Sequence, residues 1–248
     1  MKIFFVIGEN TSQSISPLIF NHWFKKYKIK AKYSFIEVKG NRFDKLISEK
    51  IHDNKTTGLN ITIPFKKNIL KHLDVKNHHV KKIGAANCVT ISKKTKGINT
   101  DWIGYLKSIK DLKINKNKNI IILGYGGASK AIVYGFLSKG YKNIKIFNRS
   151  KKLVLFGEIK VYTKKYSLID SHLISADLII NTTPTNPLNK KQIKLVSKKT
   201  IVSDIVYKPK QTLFLKAFGE NKKIYGIQML IEQAVLCFYF WFGFVPTV

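Results

Sequence analysis

Arginine is almost missing from this chain. Only Arg42 and Arg149 occur among 45 basic residues in a length of 248, which leaves 43 lysines. Acidic residues are also few, 14 in all, and the formal net charge is +31. Such a charge would ordinarily point to nucleic acid or an anionic surface. Proteins that read nucleic acid, however, rely on arginine for bidentate contacts with phosphate and guanine. The lysines are spread from end to end, and with abundant isoleucine and asparagine they read as AT-rich coding. A basic nucleic-acid-binding protein is therefore the alternative from another class, and it lacks an arginine cluster, a finger motif and an RNA-recognition signature.

Cysteine is scarce too. Cys88 and Cys237 offer no disulfide framework and no CxxC spacing, which fits a reducing cytoplasm. Six histidines show no HxxH or HExxH pattern, so no metal site is expected. The most apolar stretch, Ala234–Val245, is only about a dozen residues long, too short to span a bilayer. Met1–Gly8 carries one lysine and no small-residue cleavage site, and reads as a strand rather than a signal peptide. What is present is a core: 44% of residues are hydrophobic and 12% aromatic, which excludes disorder. The length suits one large domain or two modest ones.

Strand-like and helix-like runs alternate along the chain. Lys2–Ile7, Lys32–Val38, Leu59–Ile63 and Asn87–Ile91 read as strands, with helices over Pro17–Tyr27, Phe43–Ile51 and Asp101–Lys110. Lys93–Gly97 reads as a lysine-rich turn, and the polar patch Asn115–Asn119 is the best linker candidate. Further strands are expected at Ile120–Leu123, Ile144–Phe147, Lys160–Tyr162, Asp177–Asn181 and Thr200–Val206. Helices are expected at Ala128–Lys139, Leu213–Phe218 and Gln228–Phe240. This rhythm implies an α/β fold of βαβ units with a parallel sheet.

The most pointed motif is Gly124-Tyr125-Gly126-Gly127-Ala128-Ser129, between an apolar run and a helical one. A strand, a glycine turn and a helix in that order suit a dinucleotide. The glycines allow a tight turn and close approach to a pyrophosphate, and the helix N-terminus offers free N–H groups. The next strand ends in Asn148-Arg149-Ser150, where an NAD site would carry an acid. Arg149 supplies a planar fork for a 2′-phosphate, so NADP is the expected cofactor.

Other constellations stand at strand ends. In Ser14-Ile15-Ser16-Pro17, Pro17 at the first helical position makes Ser16 the natural N-cap, and the two hydroxyls beside a helix start suit a carboxylate. Asn60 and Thr62 share one face of a strand, Pro64 ends it, and Lys66 follows in the turn. Gly84–Cys88 and Gly97–Asp101 bring amides and a carboxylate to strand edges. Asp101 suits an N-cap on its own. In a chain with so few acids, a Lys66/Asp101 pair suggests acid–base work.

Taken in order, these segments resemble the shikimate/quinate dehydrogenase family. The resemblance runs through Ser14–Pro17, Gly58–Lys66, Gly84–Asn87, Asn99–Gly104, Gly124–Ser129, Asn148–Ser150, Asn181–Pro184, Asp204–Pro209 and Gly226–Gln233, nearly the whole chain. It implies a two-domain protein: an α/β substrate domain over residues 1–100, a Rossmann-type NADP domain over 101–225, and a C-terminal helix over 226–248 returning to the substrate domain. It implies NADPH-dependent, reversible reduction of 3-dehydroshikimate, with Lys66 and Asp101 as the catalytic pair. Ser14, Ser16 and Tyr207 would hold the substrate carboxylate. Asn60, Thr62, Asn87 and Gln233, with Asp101, would bind its hydroxyls. Gly124, Gly126, Gly127, Ala128 and Ser129 would hold the pyrophosphate, and Asn148, Arg149 and Ser150 the adenosine ribose and its 2′-phosphate. Asn181, Thr182 and Met229 would lie near the nicotinamide, and Gly226 joins the cofactor set. The partner is a small molecule, with no membrane or nucleic acid, and a homodimer is left open.

Some positions depart from the family pattern. Tyr125 replaces a small residue in the glycine turn, Gln13 a common histidine, Cys88 a common threonine and Asn186 a common glycine. Leu153 stands where a second basic residue often grips the 2′-phosphate, with Lys151 and Lys152 nearby as substitutes. The nearer rival is an NAD-dependent quinate/shikimate dehydrogenase, against which Arg149 weighs.

Overall fold

The computed structural model describes residues 1–247. It divides into two compact units, one of residues 1–101 with the chain from Gln233 onward, the other Trp102–Glu232.

The first unit contains β1 (Lys2–Gly8), α1 (Ser16–Lys26), β2 (Ala31–Glu37), α2 (Phe43–His52), β3 (Thr56–Ile61), β4 (Val75–Lys76), α3 (His78–Ile83), β5 (Cys88–Thr90) and β6 (Lys96–Ile98). Its sheet has the order β2-β1-β3-β5-β6-β4. β1 lies parallel to β2 and β3, as βαβ crossovers require. β5 runs antiparallel to both β3 and β6, so the sheet is mixed rather than parallel throughout. The expected Lys93–Gly97 turn is shorter than that range, because Lys96 and Gly97 already pair in β6.

Each face of this sheet buries an apolar layer. On α1, Phe20, Trp23 and Phe24 fall at helical spacing and are all buried. The Phe20 ring stacks on Tyr33 at 4.5 Å, and Phe4 meets Trp241 at 4.7 Å. Phe238 packs on Trp23 at 5.4 Å and on Phe242 at 4.7 Å. A second cluster gathers Phe43, Ile47, Leu59, Ile61, Phe65 and Ile69, where the Phe43 and Phe65 rings stack at 4.2 Å.

In the second unit the chain forms α4 (Asp101–Ser108), β7 (Ile120–Leu123), α5 (Gly127–Ser138), β8 (Ile144–Asn148), β9 (Leu153–Phe156) and β10 (Ile159–Lys165). It continues through α6 (Asp170–Ile174), β11 (Leu178–Asn181), α7 (Lys190–Lys194), β12 (Ile201–Asp204), α8 (Leu213–Ala217), β13 (Lys223–Tyr225) and α9 (Gly226–Phe242). The sheet order is β13-β12-β11-β7-β8-β10-β9, parallel except for β9, which returns antiparallel on β10. β7 and β11 are fully buried isoleucine-rich runs, the pattern of strands covered on both faces. The crossing from β7 to β8 on one side and to β11 on the other reverses the strand order, the place where such sheets bind ligands.

The Asn115–Asn119 patch is not a link between units. It is a turn inside the second unit, closed by Asn115 and tied down where Asp177 accepts from the Asn119 amide at 2.8 Å. The helix expected over Asp101–Lys110 ends at Ser108 and is followed by a 3-10 turn at Lys110–Leu112. The short elements β4, β9, β13, α3, α6 and α7 carry too little periodicity to stand out in the sequence. No described helix is long and apolar enough to cross a membrane.

Helix α9 begins in the second unit and ends in the first, and Phe238 is its most completely buried aromatic anchor. Phe238→Ala is expected to lower stability by about 3–5 kcal/mol. Urea denaturation measures this, and an unshifted midpoint would show that the C-terminal helix is dispensable to the first core.

Candidate active site

Lys66 is placed by the turn that follows β3. The Thr62 amide donates to Ile7 O at 2.9 Å, and the Phe65 amide closes the turn onto Thr62 O at 2.9 Å. Phe65 is buried against Phe43, and Lys66 O accepts from the Ala86 amide at 2.8 Å. With its backbone fixed on both sides, Lys66 extends its ammonium to Asp101 Oδ2 at 2.7 Å. The two side chains are 12% and 5% exposed, so neither charge is replaceably solvated.

Asp101 opens α4, where the helix dipole favours a carboxylate. Its Oδ1 accepts from Asn87 Nδ2 at 2.9 Å, while Asn99 Oδ1 accepts from the Asp101 amide at 3.1 Å. Asn99 also donates to Ala85 O at 3.0 Å, joining the loop before α4 to the one before β5.

Asn87 is the hub of this network. Its Nδ2 donates to Thr100 Oγ1 at 2.9 Å and to Gln233 Oε1 at 3.3 Å, and its Oδ1 accepts from the Thr100 amide at 2.7 Å. Asn60 Nδ2 donates to Asn87 O at 3.1 Å and to Cys237 Sγ at 3.1 Å, while its Oδ1 accepts from Tyr33 Oη at 2.7 Å. Lys66, Asp101, Asn87, Gln233 and Asn60 therefore form one continuous buried polar chain. Sequence reasoning missed Thr100, Cys237 and Tyr33 as its supports. Cys237 stands one helical turn after Gln233, and that spacing is the signal that would have found it.

Ser14 and Ser16 stand at the start of α1, but Ser16 is not the N-cap. The cap position is Ile15, without a side-chain cap, and Ser14 Oγ accepts from the Ser16 amide at 3.2 Å. Proline at the second helical position shifts the helix start one residue earlier than expected. Thr62 lies beyond the end of β3, half-buried, with its methyl packed over Gly8. Tyr207 belongs to the second unit and is half-buried there.

In the second unit, β7 delivers the chain into the glycine turn. Gly124 has φ +96°, a region that L side chains avoid, and its amide donates to Phe147 O at 2.7 Å. Gly126 is the N-cap of α5 with no side-chain cap, and a Cβ there would meet nothing within 4 Å. An uncapped helix N-terminus with open space above it is suited to phosphate. Ser129, wholly buried, holds the turn by donating to Gly124 O at 2.9 Å, and Ala128 is buried beside it. Gly127 is the first residue of α5. Tyr125 is half-buried with the Lys130 ammonium 5.4 Å from its ring centre, and burial pushes its phenol up to about 12.

The neighbouring loop is built from within. Asn181 Nδ2 donates to Thr183 O, Thr185 O and Asp204 Oδ2 at 3.1–3.3 Å, and Oδ1 accepts from the Thr183 amide and hydroxyl. Thr182 Oγ1 donates to Leu123 O at 2.7 Å. Both side chains are thus committed to shaping the loop. Asp204 accepts from Thr212, Val206 and Asn181. Burial pushes its carboxyl above the ordinary range, and those hydrogen bonds only partly oppose it. A carboxyl raised in the fold contributes stability fully below its unfolded pKa and loses it as pH rises through the folded one.

Gly226 is explained by packing: a Cβ there would sit 2.4 Å from Ile205 O. Met229 is buried in α9. At the end of β8, Asn148 Nδ2 donates to Ser150 O at 3.3 Å, while Arg149 and Ser150 are exposed.

A glycine turn feeding an uncapped helix at the switch point of a parallel sheet defines a Rossmann-type dinucleotide-binding unit. Residues 6–89 match the family profile described as the shikimate dehydrogenase substrate binding domain, and residues 107–209 match that of shikimate / quinate 5-dehydrogenase. The NADP(+) shikimate dehydrogenase of Clostridium beijerinckii is 36% identical over 245 residues, covering 95% of this chain and 90% of that protein. The crystal structure of shikimate dehydrogenase from Aquifex aeolicus superposes with a TM-score of 0.87 at 29% identity, covering 100% of this chain and 94% of that one. The enzyme of Thermus thermophilus in complex with NADP(H) and shikimate gives 0.83 at 26%, covering 100% and 95%. The chain belongs to the shikimate dehydrogenase family.

Two outcomes check the second unit's loops. Gly124→Ala is expected to lower stability by about 1–3 kcal/mol, read as a drop in melting temperature. Asp204→Asn is expected to flatten the dependence of stability on pH across the mildly acidic range, measured by chemical denaturation. An unaltered slope would show that Asp204 titrates alike in both states.

Proposed function

We propose that this protein catalyses the reversible, NADPH-dependent reduction of 3-dehydroshikimate to shikimate, a step of aromatic amino-acid biosynthesis. The observation that carries the reading is the Lys66–Asp101 pair, 2.7 Å apart and nearly buried, in the unit that matches a substrate-binding domain. The family's NADP dependence, as in the Clostridium beijerinckii relative, supports the cofactor.

The first unit binds the substrate, with Asn60, Thr62, Asn87, Asp101 and Gln233 on its hydroxyls and Ser14 and Ser16 on its carboxylate. Tyr207 of the second unit joins the carboxylate set. The second unit holds NADPH. Gly124, Gly126, Gly127, Ala128 and Ser129 form the pyrophosphate turn, and Asn148, Arg149 and Ser150 receive the ribose and 2′-phosphate. Asn181, Thr182, Gly226 and Met229 shape the nicotinamide end, largely through the backbone and packing. The open space over Gly126 and the exposed guanidinium of Arg149 suit the two phosphate groups.

When bound, NADPH supplies hydride to the carbonyl carbon of the substrate. Lys66 Nζ stabilises the negative charge that develops on the carbonyl oxygen and delivers the proton there. In the reverse direction the neutral amine takes that proton from the hydroxyl. Asp101 fixes the position of Nζ, and Asn87 fixes Asp101 in turn. The buried, free thiols of Cys88 and Cys237 suit the reducing cytoplasm.

Absorbance at the nicotinamide band tests the reading. Lys66→Ala is expected to lower kcat by about 10²–10⁴-fold while NADPH affinity stays nearly unchanged. An unchanged rate would remove Lys66 from the chemistry, and wild-type protein that binds both ligands without turnover would overturn the function. Arg149→Ala is expected to raise KM for NADPH at least about tenfold and to leave KM for NADH close to its starting value.

A further inference from the structure

β10 carries a buried threonine where strand packing alone would be served as well by valine. Thr163 is 1% exposed, and valine has nearly its shape without the cost of burying a hydroxyl. Its hydrogen bonds explain the choice. Thr163 Oγ1 donates to Ser150 O at 3.0 Å and accepts from the Lys152 amide at 2.8 Å, and the Thr163 amide donates to Lys152 O at 2.9 Å. Ser150 O also accepts from Asn148 Nδ2 at 3.3 Å. The segment from Asn148 to Lys152 is thus clipped at both ends. Three of its residues, Arg149, Lys151 and Lys152, are cationic and exposed.

The β9–β10 hairpin makes this clip possible. β9 starts at Leu153 and pairs antiparallel with β10, Leu153 opposite Tyr162, which brings Lys152 opposite Thr163. The Lys151 ammonium also lies 5.6 Å from the Tyr162 ring centre, a second tie between loop and hairpin. An unclipped loop would lose backbone freedom on meeting its ligand and bind more weakly for it.

We propose that Thr163 is a positioning residue for cofactor selectivity: it holds the Arg149–Lys152 segment in the shape that receives the 2′-phosphate of NADP. The assignment deepens the NADP reading above and rests on it. It places selectivity partly in a residue that touches no cofactor.

Calorimetric titration with 2′,5′-ADP and with 5′-AMP tests it without any turnover. Thr163→Val is expected to weaken 2′,5′-ADP about tenfold and to leave 5′-AMP within about twofold. Thr163→Ser, which keeps the hydroxyl, is expected to restore wild-type binding. Equal loss for both nucleotides, or no loss for either, overturns the inference. Should the valine variant not fold, hydrogen exchange on the wild-type protein decides: the Lys152 amide is expected to be protected before nucleotide is added, and free exchange there overturns the clip. Wild-type protein that binds both nucleotides equally rejects this inference together with the NADP assignment. Selective binding of 2′,5′-ADP without oxidation of NADPH by 3-dehydroshikimate rejects only the proposed reaction.

Discussion

The ion pair of Lys66 and Asp101 sets the terms for the polar interior of the first unit. Two opposite charges taken largely out of water must satisfy each other and every remaining lone pair, or the fold loses several kcal/mol. Asp101 meets that demand with Lys66 on one oxygen and Asn87 on the other. Asn87 then needs its own partners, and finds them in Thr100 and Gln233. Asn60 extends the chain to Tyr33 and Cys237. A buried polar network is stabilising only when it is complete, so one buried ion pair fixes the identity of half a dozen residues around it.

The second unit answers a different demand with different means. Its site has no buried charge pair among the described residues. It has backbone: a glycine at positive φ, an uncapped helix start and a loop whose asparagine is consumed in holding it. Amide dipoles in fixed positions suit a ligand with several anionic groups, because they need no counter-ion and no side-chain ordering. In a chain where lysine outnumbers arginine 43 to 2, the placing of Arg149 just after β8, the strand next to the one that enters the glycine turn, is a local departure from composition.

Much of this is legible in the sequence, for identifiable reasons. The long strands β1, β7 and β11 and the helices α1, α5 and α9 show strong apolar patterns, and glycine and proline punctuate them at functional turns. Lys66 and Asp101 stand out through their place at strand ends. What is not legible depends on contacts between distant residues. The antiparallel return of β5 and β6, and the β9–β10 hairpin, rest on pairing that three- or four-residue runs do not announce. The cap of α1 falls at Ile15 rather than Ser16 because Pro17 stands at the second helical position and not the first. Tyr33, Thr100, Cys237 and Thr163 are ordinary residues until the fold brings their partners to them.

The path of α9 has a consequence for how the protein is made. The first unit is discontinuous: its aromatic core includes Phe238, Trp241 and Phe242, which follow the whole second unit in chain order. A ribosome releasing this chain exposes the N-terminal strands long before those rings arrive. The second unit is continuous, so all of its residues are made before the last aromatic rings that cover β1 and α1. In vectorial synthesis the sequence of the second unit is therefore complete before that of the first, and the unit that carries Lys66 lacks part of its core until Phe242 has been made.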